Sequence, residues 1–167
     1  MKIEKIKKSG FTLIEILVVI GIIAILAAIV IIAINPARQF AQARNTQRQS
    51  NINTLLNAVG QRLADNKGVF PVVAGCQALT PGTVYTISTV AGSMEAPATD
   101  ILDISCVVPT YIASQIPVDP DGGIWTNATT YNSKYNITVD ALGRYTVCSP
   151  KSNEATLGSP VPICVTR

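Results

Sequence analysis

The 167-residue chain contains no histidine, and charged residues make up only 14% of it, against about 25% in ordinary soluble domains. Without histidine, imidazole acid/base chemistry, Ser-His-Asp and Cys-His nucleophiles and most catalytic zinc sites are excluded. The low charge, the 48% of hydrophobic residues and a mean hydropathy of +0.35 make the chain too apolar for a disordered or nucleic-acid-coating protein. Part of it is expected to reside in lipid. The length allows one modest domain with an appendage and excludes a multidomain machine.

What charge there is lies unevenly. Residues 1–10 hold Lys2, Lys5, Lys7 and Lys8 against Glu4, a net of +3, and the other 157 residues are neutral overall. Residues 37–67 are basic, with Arg38, Arg44, Arg48, Arg62 and Lys67 against Asp65. Residues 68–167 carry four basic and seven acidic side chains, a net of −3, so the distal domain shows no nucleic-acid footprint.

Phe11 to Ile34 reads FTLIEILVVIGIIAILAAIVIIAI, with Glu15 as its one charge. As a helix, Ile16 to Ile34 spans roughly 28 Å, close to the thickness of a hydrocarbon core. Lysines on its N-terminal side alone predict a single pass with the N-terminus cytoplasmic and the head outside. A secretory signal would be shorter and end in an A-x-A-like site. Here the small pair Ser9-Gly10 precedes the apolar run, and an acidic residue lies inside it at a cost of about 2.5 to 3.5 kcal/mol. Glu15 therefore needs a purpose.

Lys7-Lys8-Ser9-Gly10 followed by FTLIEILVVIGIIAILAAI resembles the leader and N-terminal helix of type IV prepilins and pseudopilins. The resemblance covers about the first thirty-five residues. It implies cleavage by a prepilin peptidase after Gly10, N-methylation of Phe11, and a role for Glu15 in assembly. A plain membrane anchor is the alternative.

Asn35-Pro36 interrupts the apolar run and predicts a helix kink at Pro36, because proline lacks a backbone donor and disfavours helical geometry at the residue before it. Beyond it, Ile52, Leu55, Leu56, Val59 and Leu63 form one apolar stripe at helical spacing, with Arg44, Gln47, Arg48 and Gln61 read as lying off it. Gly68 and Pro71 mark the end of this helix. From Phe11 to Asn66 the helical stretch would measure about 84 Å if continuous. The remainder, rich in threonine, valine, tyrosine and turn residues, favours short strands. Val84–Val90 is a strand or extended loop, Val107–Gln115 a short helical turn, and Tyr131–Val139 with Gly143–Cys148 a hairpin around residues 140–142.

Ile116-Pro-Val-Asp-Pro-Asp-Gly-Gly123 is similar to the Pro-x-Asp-Pro turn of major pseudopilins of type II secretion and of several pilins. In secretion pseudopilins that neighbourhood can bind calcium, and Asp119 and Asp121 offer hard oxygens. Two carboxylates are few for an ion that takes six to eight, so a proline-set turn without metal is the expectation. Asn127-Ala-Thr129 and Asn136-Ile-Thr138 match the N-glycosylation pattern and are read as coincidence in a threonine-rich stretch.

Cys76, Cys106, Cys148 and Cys164 all fall in the exported part, where disulfides are allowed. Four cysteines permit three connectivities, and the nearest pair is sixteen residues apart, too far for a CxxC metal knuckle. Sequential pairing, Cys76–Cys106 and Cys148–Cys164, closes two local loops, and the second resembles the C-terminal disulfide loop of many type IV pilins. Free buried cysteines are the alternative.

The expected fold is α+β: a long N-terminal helix, membrane-spanning in its first half and kinked near Pro36, packed on a small antiparallel sheet. Four segments follow: a leader (1–10), a transmembrane and filament-core helix (11–34), an amphipathic helix entering the head (35–67), and a globular head (68–167). The resemblance implies a structural subunit without a cofactor, polymerised with its own copies in a helical filament, periplasmic or extracellular. Its partners would be a prepilin peptidase, an inner-membrane assembly platform and ATPase, and membrane lipid before assembly. A pseudopilin of type II secretion or DNA uptake is the rival within the family. A membrane-tethered enzyme or receptor, with Asp119, Asp121 and Asp140 as candidate carboxylates, is the rival outside it.

Overall fold

The computed structural model describes residues 10–158 and 162–167. The expected leader, apart from Gly10, lies outside the described residues. The chain divides into two compact units between Gln39 and Phe40.

In the first unit, helix α1 spans Leu13–Ile34 and buries none of its residues. Its 22 residues make it long and apolar enough to cross a membrane. It ends at Asn35, whose backbone is left-handed (φ 46°, ψ 82°), and helix α2 starts at Pro36 and runs to Asp65. Asparagine tolerates this conformation better than most residues, and proline brings no N–H that the α1 ladder would miss. Asn35 also opens α2, its carbonyl accepting from the Arg38 N–H at 3.1 Å and its side-chain oxygen from the same N–H at 3.4 Å.

In the second unit, the rest of α2 supplies one wall of the core. Ile52, Leu55, Leu56, Ala58 and Val59 are buried with Tyr85, Ile87, Tyr131, Tyr135, Ile137 and Val147 of the sheet. Leu63, the last residue of the expected stripe, is only partly buried. The helix closes where Lys67 and Gly68 turn left-handed and the Gly68 N–H reaches the Leu63 carbonyl at 2.8 Å.

The strands are β1 (Val84–Ser88), β2 (Asp100–Leu102), β3 (Ile124–Asn127), β4 (Thr130–Val139), β5 (Tyr145–Ser149) and β6 (Ile163–Thr166). Their order is β2-β1-β4-β5-β6, with β3 also pairing β4. The sheet is mixed rather than antiparallel: β1 and β2 run parallel, with Thr86 beside Ile101, while the other pairs are antiparallel. The expected hairpin is β4–β5, with Ile137 opposite Val147 and Val139 opposite Tyr145. The expected helical turn is a 3-10 turn that starts earlier, at Ser105–Val107.

The β1–β4 register slips between Thr86 and Ser88, where Lys134 has φ 64°. Such a bulge leaves ladder groups without their strand partner. Ser133 fills the gap: its hydroxyl donates to the Ile87 carbonyl at 2.8 Å and accepts the Tyr135 N–H at 3.1 Å.

One disulfide lies within the sheet and the other outside it. Cys148 and Cys164 face each other across β5 and β6, so their bridge ties the edge strand to the sheet. Cys76 and Cys106 join the turn after α2 to the 3-10 segment. Gly75 makes that approach possible, because a Cβ there would lie 2.6 Å from the Ser105 hydroxyl.

Candidate functional site

The N-terminal site consists of consecutive residues in the first unit. Gly10 and Phe11 precede α1 in exposed, non-helical chain, and Phe11 is 84% exposed. Thr12 is the N-cap in extended geometry (φ −85°, ψ 152°). Its hydroxyl accepts the Glu15 N–H at 3.3 Å, and the Glu15 carboxylate accepts from the Thr12 N–H at 2.7 Å and the Thr12 hydroxyl at 2.8 Å. This is a reciprocal capping box: two helix-end donors are satisfied, and a negative charge sits at the positive end of the helix dipole. In this state the one acidic residue of α1 closes its own helix and leaves the peptide at Gly10-Phe11 outside it.

The second constellation lies in the head, around Arg48. Four residues before Ile52, Arg48 faces the core rather than lying off the stripe, and it is fully buried. Its Nε donates to Asp119 Oδ2 at 2.8 Å and its Nη2 to Asp119 Oδ1 at 3.0 Å. Nη1 donates to Asn45 Oδ1 at 2.9 Å and to Glu154 Oε1 at 2.6 Å. Arg44 takes both oxygens of Glu154 at 2.7 Å. Asn51, one turn on, donates to the Val118 carbonyl and the Tyr135 hydroxyl, each at 2.9 Å.

The charges respond to this geometry. The Arg44 fork, with Arg48 behind it, pulls the Glu154 carboxyl down to about 2. Burial works against the charge on Arg48, but its hydrogen bonds to Asp119 and Glu154 prevail and leave its pKa above the ordinary value. Burial likewise pushes the Tyr135 hydroxyl up to about 12, so it stays neutral as a partner for Asn51.

Asp119 and Asp121 are not brought together as paired ligands. Asp119 is buried against Arg48, whereas Asp121 is exposed and supplies its backbone N–H to Asp119 Oδ1 at 2.8 Å. Asp140, the third candidate carboxylate, is engaged by Arg144 at 2.7 Å. No cluster of three metal-ligating side chains occurs among the described residues. Asn136 is buried, with Thr86 and the Glu95 carbonyl as partners, while Asn127 is exposed at the β3–β4 turn. Arg48, Glu154 and Asn51 are residues that sequence reasoning missed. The available signal was the spacing of Arg48 from Ile52, which places it on the apolar face.

Residues 5–33 match the family model described as the prokaryotic N-terminal methylation motif. No curated protein and no solved structure matches the chain. The matched segment holds Gly10, Phe11 and Glu15 and bears the prepilin signature of type IV pilins and pseudopilins, which covers the start of this chain and leaves the head outside it.

Proposed function

We propose that the chain is the structural subunit of a type IV pilus-like filament, inserted as a prepilin with its N-terminus cytoplasmic and its head outside. A prepilin peptidase cuts after Gly10, Phe11 is N-methylated, and the α1 segments of many copies form the filament core. The carrying observation is α1 itself: a 22-residue helix, apolar or small at every position but Glu15, that has no residue buried within the chain and follows directly on Gly10-Phe11-Thr12. Such a surface has to be covered by lipid and then by other copies.

Glu15 provides the register. Cleavage converts the Phe11 amide into an amine with a reference pKa near 7.7 to 8.0, protonated for the most part at neutral pH, and methylation keeps the charge. In the uncut chain Glu15 satisfies its charge through Thr12. In a staggered filament the Phe11 ammonium of an incoming copy neutralises the carboxylate of its neighbour, and a misplaced subunit leaves a charge unpaired in apolar surroundings at a cost of several kcal/mol. An inner-membrane platform and an ATPase supply the work of extraction.

The test is Glu15→Ala in the native host. Export and cleavage should persist while filaments disappear from sheared fractions. Filaments of normal number and length would refute the assembly role. The Pro117-Val118-Asp119-Pro120 turn favours a second reading, a pseudopilin of type II secretion. Deleting the gene separates the two: loss of surface filaments supports the pilus, and loss of exoprotein release with surface filaments intact supports the pseudopilin.

A further inference from the structure

The turn that would carry calcium in a secretion pseudopilin has its buried carboxylate, Asp119, already occupied, while Asp121 beside it is exposed and lends Asp119 only its backbone N–H. Ionised aspartate offers about four acceptor positions. Those of Asp119 meet four donors: Arg48 Nε at 2.8 Å and the Ser149 hydroxyl at 3.3 Å on Oδ2, Arg48 Nη2 at 3.0 Å and the Asp121 N–H at 2.8 Å on Oδ1. A calcium ion wants six to eight oxygens at 2.3 to 2.6 Å. Here it would have to displace a guanidinium whose side chain, like that of Asp119, is wholly shielded from solvent. The residues present do not fit the metal.

The same guanidinium ties together three stretches that are far apart in sequence. It leaves α2, holds the 117–123 turn through Asp119, and reaches the segment after β5 through Glu154. The turn is folded to suit it. Its ends close by the Asp119 N–H on the Ser133 carbonyl at 2.9 Å and the Gly123 N–H on the Asp119 carbonyl at 3.0 Å. A Cβ at Gly123 would fall 2.5 Å from the Asp119 nitrogen, so only glycine lets the chain close this tightly.

We propose that Arg48 is the built-in cation of this head, fastening the 117–123 turn and the 149–154 segment to α2 where a divalent ion would otherwise serve, so that the head neither binds calcium there nor depends on it. A planar fork suits the role because it meets both Asp119 oxygens and still has Nη1 for Glu154. The chain then carries its cation with it, and its stability outside the cell is independent of local calcium. This holds whether or not the filament reading is correct.

The test uses the full-length chain in detergent micelles, with fluorescence of the single Trp125 as the report of head unfolding. The wild type should show the same Tm in excess EGTA and in millimolar calcium. Arg48→Met should lower Tm by roughly 10 °C or more, because Asp119 is left charged and buried. Arg48→Lys should fall between the two, since a point charge cannot span both oxygens, and it remains readable if Arg48→Met fails to fold. A wild-type Tm that rises with calcium would overturn the proposal. So would an Arg48→Lys protein as stable as the wild type.

Discussion

Helix α1 and the head solve opposite problems. Over Leu13–Ile34 every side chain but Glu15 is apolar or small, and no residue is buried by the chain itself. In Phe40–Arg167 the core includes Arg48, Asp119, Asn136 and Ser149 among its fully or almost fully buried residues. The contrast teaches that burial and apolarity are separate properties. A helix can be apolar because its covering lies outside the molecule, and a core can be ionic when each charge has its partner in place.

The largest effect that would break this comparison lies at the junction before α1. Gly10→Val is expected to abolish processing, so intact-mass measurement should find a full-length membrane protein, whereas the wild type should be found without Met1–Gly10 and with one methyl group added on Phe11. Wild-type filaments built from uncut chain would refute cleavage after Gly10 as a step before assembly.

Next in size is a matched pair of truncations, one in each region. Leu55→Ala, at a fully buried position, should cost the head about 2–5 kcal/mol. Ile22→Ala removes similar atoms from an exposed position in α1 and should leave head unfolding unchanged in denaturant titrations. Equal losses would mean that the head draws stability from α1.

Reduction of the disulfides sharpens the same contrast. Each bridge should contribute roughly 2–4 kcal/mol to the head and nothing to membrane insertion. Denaturation with and without reductant, beside carbonate extraction of membranes, reads both. Non-reducing peptide mapping should return Cys76–Cys106 and Cys148–Cys164, and four free thiols would reject it.

The smallest expected effect is the acid response of Glu154. Its folded pKa is lowered to about 2, so its contribution is full above the ordinary value of 4.5 and is lost as pH falls from there through about 2. The stability gap between wild type and Glu154→Gln should therefore narrow across that window and stay constant above it. A gap independent of pH would show that Arg44 and Arg48 gain nothing from the charge.

Much of this molecule was legible because its signals are local. The apolar run of α1, the Asn35-Pro36 break, the Ile52-Leu55-Leu56-Val59 stripe and the β4–β5 hairpin each sit within a few turns or one tight connection. Strand β2 was not legible: it has three residues, too few to display a period, and its parallel pairing with β1 is made across an intervening loop. Strand β6 is similarly short, and its four residues alternate between half-buried and exposed. Gly10, Phe11 and Glu15 stood out because they lie within six residues inside one matched motif, whereas the Thr12–Glu15 capping box was not read. The Arg48 cluster was misread, since arginine on a helix is ordinarily solvated and its partner Asp119 lies 71 residues away.

The sequence alone determined that the first helix is an apolar rod with one charge, because hydropathy and length need no partner to be measured. It also determined where that rod ends, through an asparagine and a proline whose backbone preferences are their own. Tertiary structure alone decided that Arg48 meets Asp119 and leaves Asp121 outside, that Glu154 joins two arginines, and that one strand pair runs parallel. These outcomes depend on which distant groups arrive together, and a buried charge is tolerable only once its partner is within hydrogen-bonding reach.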